Sequence, residues 1–146
     1  MSEHHRYPQA LQQVVDEFNS APKPLRLALL LDYAKKLPAL PEEYAGTLER
    51  VHECQTPLFL RAAINDDGTA LLLFDAPEEA PTTRGFASVI SHGLNGVEAE
   101  EVLAVPDDFY QDLGLVELIS PLRLRGMGAI VTRAKRQLAA QAKPTN

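Results

Sequence analysis

Apolar positions recur every three or four residues at both ends of the chain and alternate in the middle, a change of period that predicts helices flanking a small sheet. Leu11, Val14, Val15 and Phe18 predict a short amphipathic helix over Pro8 to Asn19, closed by Ser20-Ala21-Pro22. A second helix is predicted over Leu25 to Leu37, with Leu25, Ala28, Leu29, Tyr33 and Leu37 inward and Arg26, Asp32, Lys35 and Lys36 outward. Pro38 and Pro41 stop it, and Pro38 to Thr47 reads as a connection too short to be a domain linker.

Strand signals follow at once. Leu48 to Glu53, Leu58 to Ile64 and Thr69 to Asp75 predict three antiparallel strands, the last two joined by the hairpin turn Asn65-Asp66-Asp67-Gly68. Alternation assigns Leu58, Leu60, Ala62 and Ile64 to the core face and Phe59, Arg61 and Ala63 to the other. Helical spacing returns over Pro81 to Leu94, with Phe86, Val89, Ile90 and Leu94 on one face, then in two short pieces, Glu98 to Ala104 and Asp107 to Asp112. The last helix is predicted from Pro121 to about Ala142, capped by Ser120 and buried along Leu124, Met127, Val131, Ala134 and Leu138. This order predicts an α+β fold in which about three antiparallel strands pack with N-terminal and C-terminal helices. One domain spans residues 1–146, with 1–6 and 143–146 frayed.

Composition narrows the function classes. With 45% hydrophobic and 23% charged residues the chain has an ordinary globular make-up. Its beginning carries no apolar signal core, no run approaches membrane-spanning length, and one cysteine fits a reducing compartment, so a cytoplasmic location is expected. The net charge of -6 argues against nucleic acid, which requires a clustered basic surface. Acidic side chains crowd the middle of the chain, where only Arg50, Arg61 and Arg84 are cationic between Leu37 and Leu122. Arg123 to Asn146 has the reverse character, with no acid at all. A basic helix packed on an acidic body accounts for this polarity, and so does a docking surface.

Cys54 is the one residue with obvious chemistry. It stands between two strand-like runs, in His52-Glu53-Cys54-Gln55-Thr56-Pro57, where Pro57 breaks the ladder and favours a turn. A single thiol forms no internal disulfide and does not by itself hold an iron-sulfur cluster. It is either a small buried hydrophobe or a nucleophile, and polar neighbours at a turn speak for the second. If the strand continues through this stretch, His52 and Cys54 share a face and an imidazolium favours the thiolate; otherwise His52 is an exposed strand-end residue, the reading its polar setting favours. Arg123 and Arg125 sit in the first turn of the last helix, where cations oppose the helix dipole. They pair with the acidic body or face an anion such as a thiolate or persulfide, and Arg84 raises the same question. There is no Cys-x-x-Cys, Gly-rich phosphate loop, zinc spacing or His-Glu-x-x-His, and no metal or cofactor site is expected.

Ordered motifs along the chain resemble the SufE sulfur-acceptor family. Val51 to Leu60, with Cys54-Gln55-Thr56 before an apolar strand, resembles its Gly-Cys-Gln-Ser motif. The likeness continues at Arg84-Gly85, at Leu113-Gly114-Leu115 and at Ser120-Pro121-Leu122-Arg123-Leu124-Arg125-Gly126-Met127, which is similar to Leu-Ser-Pro-x-Arg-x-x-Gly-Leu. The resemblance implies a SufE/IscU-like fold, a small curved antiparallel sheet covered by helices. It also implies an activity: Cys54 accepts persulfide sulfur from a SufS-like cysteine desulfurase, stimulates that enzyme, and passes sulfur to a SufB-containing iron-sulfur scaffold. Pyridoxal phosphate then belongs to the desulfurase. Arg123 matches an arginine near the desulfurase docking region, and Glu79 falls at a family aspartate. His52, Glu53, Gln55, Thr56, Arg84 and Arg125 complete the expected partner or thiolate neighbourhood. Glu53 replaces the usual glycine, Thr56 the serine, Phe59 the tryptophan, and Pro77-Glu78-Glu79-Ala80 an Asp-Ser-Asp-Ala run. A carrier thiol needs shelter from oxidation, so Cys54 is expected partly buried in a mobile loop. An independent single-cysteine peroxidase or hydrolase and a non-catalytic acidic adaptor are the alternatives.

Overall fold

The structure, a computed structural model, describes residues 7–142; the predicted frayed ends lie outside them. Its elements run α1 (Gln9–Ser20), α2 (Lys23–Lys35), β1 (Glu49–Arg50), β2 (Phe59–Ile64), β3 (Ala70–Asp75), α3 (Pro81–Leu94), α4 (Ala99–Leu103) and α5 (Pro121–Gln141). Single 3-10 turns lie at Glu42–Tyr44 and Phe109–Leu113. The predicted α+β class and antiparallel sheet are found, in the order β1-β2-β3.

The β2–β3 hairpin turns at Gly68, which takes φ +87 and donates its N–H to the Asn65 carbonyl at 2.9 Å. Alternation then sets the register, Leu60 opposite Phe74 and Ala62 opposite Leu72, so that all four bury their side chains. Where no strand pairs with them, backbone groups of β3 and β2 are met by side-chain amides and, on β3, also by the backbone of Gly96 and Val97 at Ala70. Asn95 accepts the Leu72 N–H at 2.9 Å and donates to the Leu72 carbonyl at 3.1 Å. On the opposite edge, Gln137 accepts from the Ala62 N–H at 2.7 Å, and Gln141 accepts from Ile64 at 3.2 Å and donates to the Ala62 carbonyl at 2.7 Å. An unpaired edge invites pairing with another chain, and these amides occupy it.

α3 is the axis of the helical layer. The sequence predicts one buried face, but nearly every residue from Gly85 to Leu94 is buried, because α1, α2, α5 and β3 surround it. Two glycines make that possible: a Cβ on Gly85 would lie 2.7 Å from the Leu30 carbonyl oxygen, and one on Gly93 would lie 3.0 Å from the Cα of Leu11.

The face of α2 differs from expectation. Leu30, Tyr33, Ala34 and Leu37 are buried, whereas Leu25 and Ala28 are exposed. The run of leucines from Leu29 to Leu31 fits either phase, and packing on α3 decides. Arg26 is likewise not turned outward; its guanidinium donates to the Phe18, Ala21 and Gly114 carbonyls at 3.0, 3.1 and 3.3 Å. It adds a donor to the carbonyls that close α1 and ties that end to Gly114.

Candidate functional site

The stretch before β2 is a closed loop, not a strand. β1 ends at Arg50, where the sequence predicts a strand to Glu53. The Val51 N–H donates to the Leu58 carbonyl at 2.8 Å, drawing both ends of the loop together, and both side chains are fully buried. Within it the Cys54 N–H bonds back to the Val51 carbonyl at 3.2 Å. That turn throws His52 into solvent while Cys54 points inward, so the two do not share a face. An imidazolium beside the thiol is therefore absent from this arrangement.

Cys54 is 7% exposed. Its thiol lies 3.8 Å from the Gly126 carbonyl oxygen, a weak S–H···O contact. A Cβ on Gly126 would come within 3.3 Å of Sγ, so the glycine lets the loop lie against α5. Burial pushes the Cys54 thiol up to about 11; the Glu53 carboxylate adds to this and Arg133 opposes it. At neutral pH the group is a protected thiol rather than a thiolate.

The thiol forms one wall of a cleft of about 290 Å³ between the loop and the first turns of α3 and α5. Of the predicted residues, Glu53, Gln55, Thr56, Glu79 and Arg123 line it with Cys54. Thr56 reaches α3, its hydroxyl 2.8 Å from that of Thr83. Ser120 caps α5, accepting the Arg123 N–H at 3.3 Å, while the Arg123 guanidinium reaches the Thr82 hydroxyl at 3.4 Å. Arg123 lines the cleft and forms no ion pair among the described residues. Two helix N-termini and an arginine thus meet beside a sulfur atom, opposed by the carboxylates of Glu53 and Glu79 on the same cleft.

The structure does not bring in His52, Arg84 or Arg125. Arg84 donates to the Ala76 carbonyl at 2.6 Å, fixing the turn between β3 and α3. Arg125 lies on the next face of α5 and lines a separate cleft with Asp107, Asp108 and Tyr110. Glu53 borders both clefts. Its carboxylate faces Arg133 of α5, whose Nε donates at 2.9 Å, and that bond holds the carboxyl below the usual range. Arg133 also pairs with Glu49, which takes a further bond at 2.7 Å from Arg136. Lys135 pairs with Asp107 at 2.7 Å, so the basic helix does pack on acidic partners.

Thr83 and Arg133 escape the sequence reading, and Gly126 enters it only as part of the Ser120-to-Met127 motif, without a place at the thiol. Gly126 carries a readable signal, since a glycine inside a long helix costs about 1 kcal/mol against alanine and points to a close approach. Thr83 and Arg133 carry none, because their partners Thr56 and Glu53 are distant in the chain.

The fold and site define an α+β domain that presents one sheltered thiol on a closed loop, beside a cleft built by two helix N-termini. Residues 12–138 match the family described as SufE: Fe-S metabolism associated domain, and the chain belongs to the SufE family. An uncharacterised SufE-like protein of Mycobacterium tuberculosis is 52% identical over 132 residues, covering 90% of this chain and 92% of that protein. The Arabidopsis thaliana SufE-like protein 1, chloroplastic/mitochondrial, is 28% identical over 82% of this chain and 32% of its own length. A solution structure of a hypothetical protein from Thermus thermophilus superposes with a TM-score of 0.83 at 44% identity, covering 92% of this chain and 97% of that one. No helix among the described residues is long and apolar enough to cross a membrane.

Proposed function

We propose that this protein is a persulfide acceptor and carrier: Cys54 takes sulfane sulfur from a SufS-like cysteine desulfurase and delivers it to a SufB-containing iron-sulfur scaffold. The observation that carries this reading is the one cysteine of a SufE-family chain, held as a buried thiol on a loop closed by Val51 and Leu58 and bordering a cleft that holds Arg123.

The step is thiol-disulfide exchange in kind. The Cys54 thiolate attacks the terminal sulfur of the partner's cysteine persulfide, a new S–S bond forms on Cys54, and the partner's own S–S bond breaks to release its thiolate. One sulfane sulfur moves and no net oxidant is needed. Removing that sulfur frees the desulfurase for another turnover, so the acceptor stimulates it. Pyridoxal phosphate stays with the desulfurase; this chain binds, orients and shields. At rest, burial keeps Cys54 protonated and guards it from oxidation to sulfenic and sulfinic acids. When the thiol turns into the cleft, the first turns of α3 and α5 and the charge of Arg123 favour its anion and the persulfide that follows. We place the exchange in the cytoplasm, where a lone cysteine stays reduced.

The test is to mix the protein with a matched desulfurase and free cysteine and to follow sulfide release and protein mass. The carrier reading expects one reductant-labile sulfur on the protein, lost in Cys54→Ser together with the rate increase. Unchanged sulfide release and mass would sink it, and peroxide turnover without desulfurase would favour an independent thiol enzyme. Arg123→Ala is expected to raise, roughly tenfold, the acceptor concentration needed for half-maximal stimulation, about 1.4 kcal/mol of docking energy, while leaving the melting curve in place.

A further inference from the structure

An acceptor thiol packed against Gly126 has to leave its shelter before it reaches a sulfur atom held by another protein. The neck of the Cys54 loop is firm, because Val51 and Leu58 are buried and hydrogen-bonded to each other. Its tip is held by less. Toward α5 there are the thiol's weak contact with the Gly126 carbonyl and the two bonds from Arg133 to the Glu53 carboxylate, at 2.9 and 3.4 Å. Toward α3 there is the hydroxyl pair of Thr56 and Thr83. Of these, the ion pair is the tether adjacent to the cysteine.

Arg133 is well prepared for the role. It is anchored from the other side by Glu49 of β1, and its side chain is only 15% exposed, against 48% for that of Glu53. The arginine is thus the fixed half, and the glutamate rides on the loop. We infer that Glu53 and Arg133 are positioning residues, a latch that keeps the Cys54 loop docked on α5 until partner docking breaks the pair and lets the loop swing about its Val51–Leu58 neck. The latch gives the chain shelter for its sulfur at the cost of a brake on transfer. Its meaning for sulfur delivery rests on the carrier reading, but the latch itself is measured without any desulfurase, so the two fail separately.

Iodoacetamide labelling of the intact protein reads loop opening directly, since Cys54 is its one cysteine. The two latch variants separate opening from simple electrostatics, because Glu53 holds the thiol's proton on and Arg133 draws it off. Charge effects alone make Glu53→Gln label faster and Arg133→Gln slower. A latch makes both label faster, by about two- to fivefold for a partly exposed ion pair. Glu49→Gln, which weakens the anchor of Arg133 on β1 but leaves Glu53 paired with it, is expected to label at a rate between those of the wild type and Glu53→Gln. Arg133→Gln labelling at or below the wild-type rate would overturn the latch, as would Glu49→Gln labelling as fast as Glu53→Gln.

Discussion

Cys54 and Gly126 act as a pair: the sulfur is buried because the helix facing it lacks a side chain. Gly126→Val puts methyl groups where Sγ now rests, starting from a Cβ only 3.3 Å away. The expected result is a loss of about 1–3 kcal/mol in stability, measured by urea denaturation, together with faster alkylation of the displaced thiol. Burial also ties the cysteine to pH. Its pKa is raised in the fold, from an ordinary value near 9 to about 11, so the unfolded chain gives up its proton first. The stabilisation is full below pH 9 and is lost as pH rises through 11. The difference in unfolding free energy between the wild type and Cys54→Ala isolates this contribution and is expected to shrink by on the order of 1–3 kcal/mol across that window. A flat difference would mean that the thiol is not sheltered in solution. Of this residue-scale picture, the sequence offers the cysteine and its turn, whereas the depth of the thiol depends on a helix that begins much later in the chain.

Among the elements, α5 carries the most varied duties. Its first turn supplies Arg123 to the cleft, its middle supplies Gly126 and Arg133 to the cysteine loop, and its last turns supply Gln137 and Gln141 to the edge of β2. Its buried stripe was legible, since Leu124, Met127, Val131, Ala134 and Leu138 fall at helical spacing and all are buried. The use of the neighbouring polar face was not, because periodicity says which residues avoid water but not which backbone groups await a polar partner. Replacing Gln137 and Gln141 together by leucine removes the amides that occupy that edge. The double variant is expected to lose about 1–3 kcal/mol and to associate with itself in sedimentation velocity through the uncovered edge. A variant that stays monomeric with wild-type stability would show that the edge needs no cover.

At the scale of the molecule, the helical layer depends on how closely α3 approaches its neighbours. Gly93→Ala sets a methyl group 3.0 Å from the Cα of Leu11, so α1 as a whole has to yield. A melting temperature lower by several degrees is expected, with about 1–3 kcal/mol lost, even though alanine is the better helix former. A rise in melting temperature would refute the packing argument. By itself the sequence determined the element order, the core face of β2, the extent of α3 and the stripe of α5, because each is written in the spacing of apolar residues, and local spacing fixes which side of an element leaves water. It also singled out Cys54, the one cysteine, as the candidate for chemistry. Tertiary structure alone decided that α2 turns Leu30 and not Leu25 inward and that Arg26 serves the end of α1. It also decided that Glu53 meets Arg133. These outcomes depend on pairings between residues far apart in the chain, where burial, charge and unmet hydrogen bonds are settled only when distant elements arrive together. The shelter of the sulfur is the clearest case, for it is built from a loop, a glycine and an arginine that no local pattern connects.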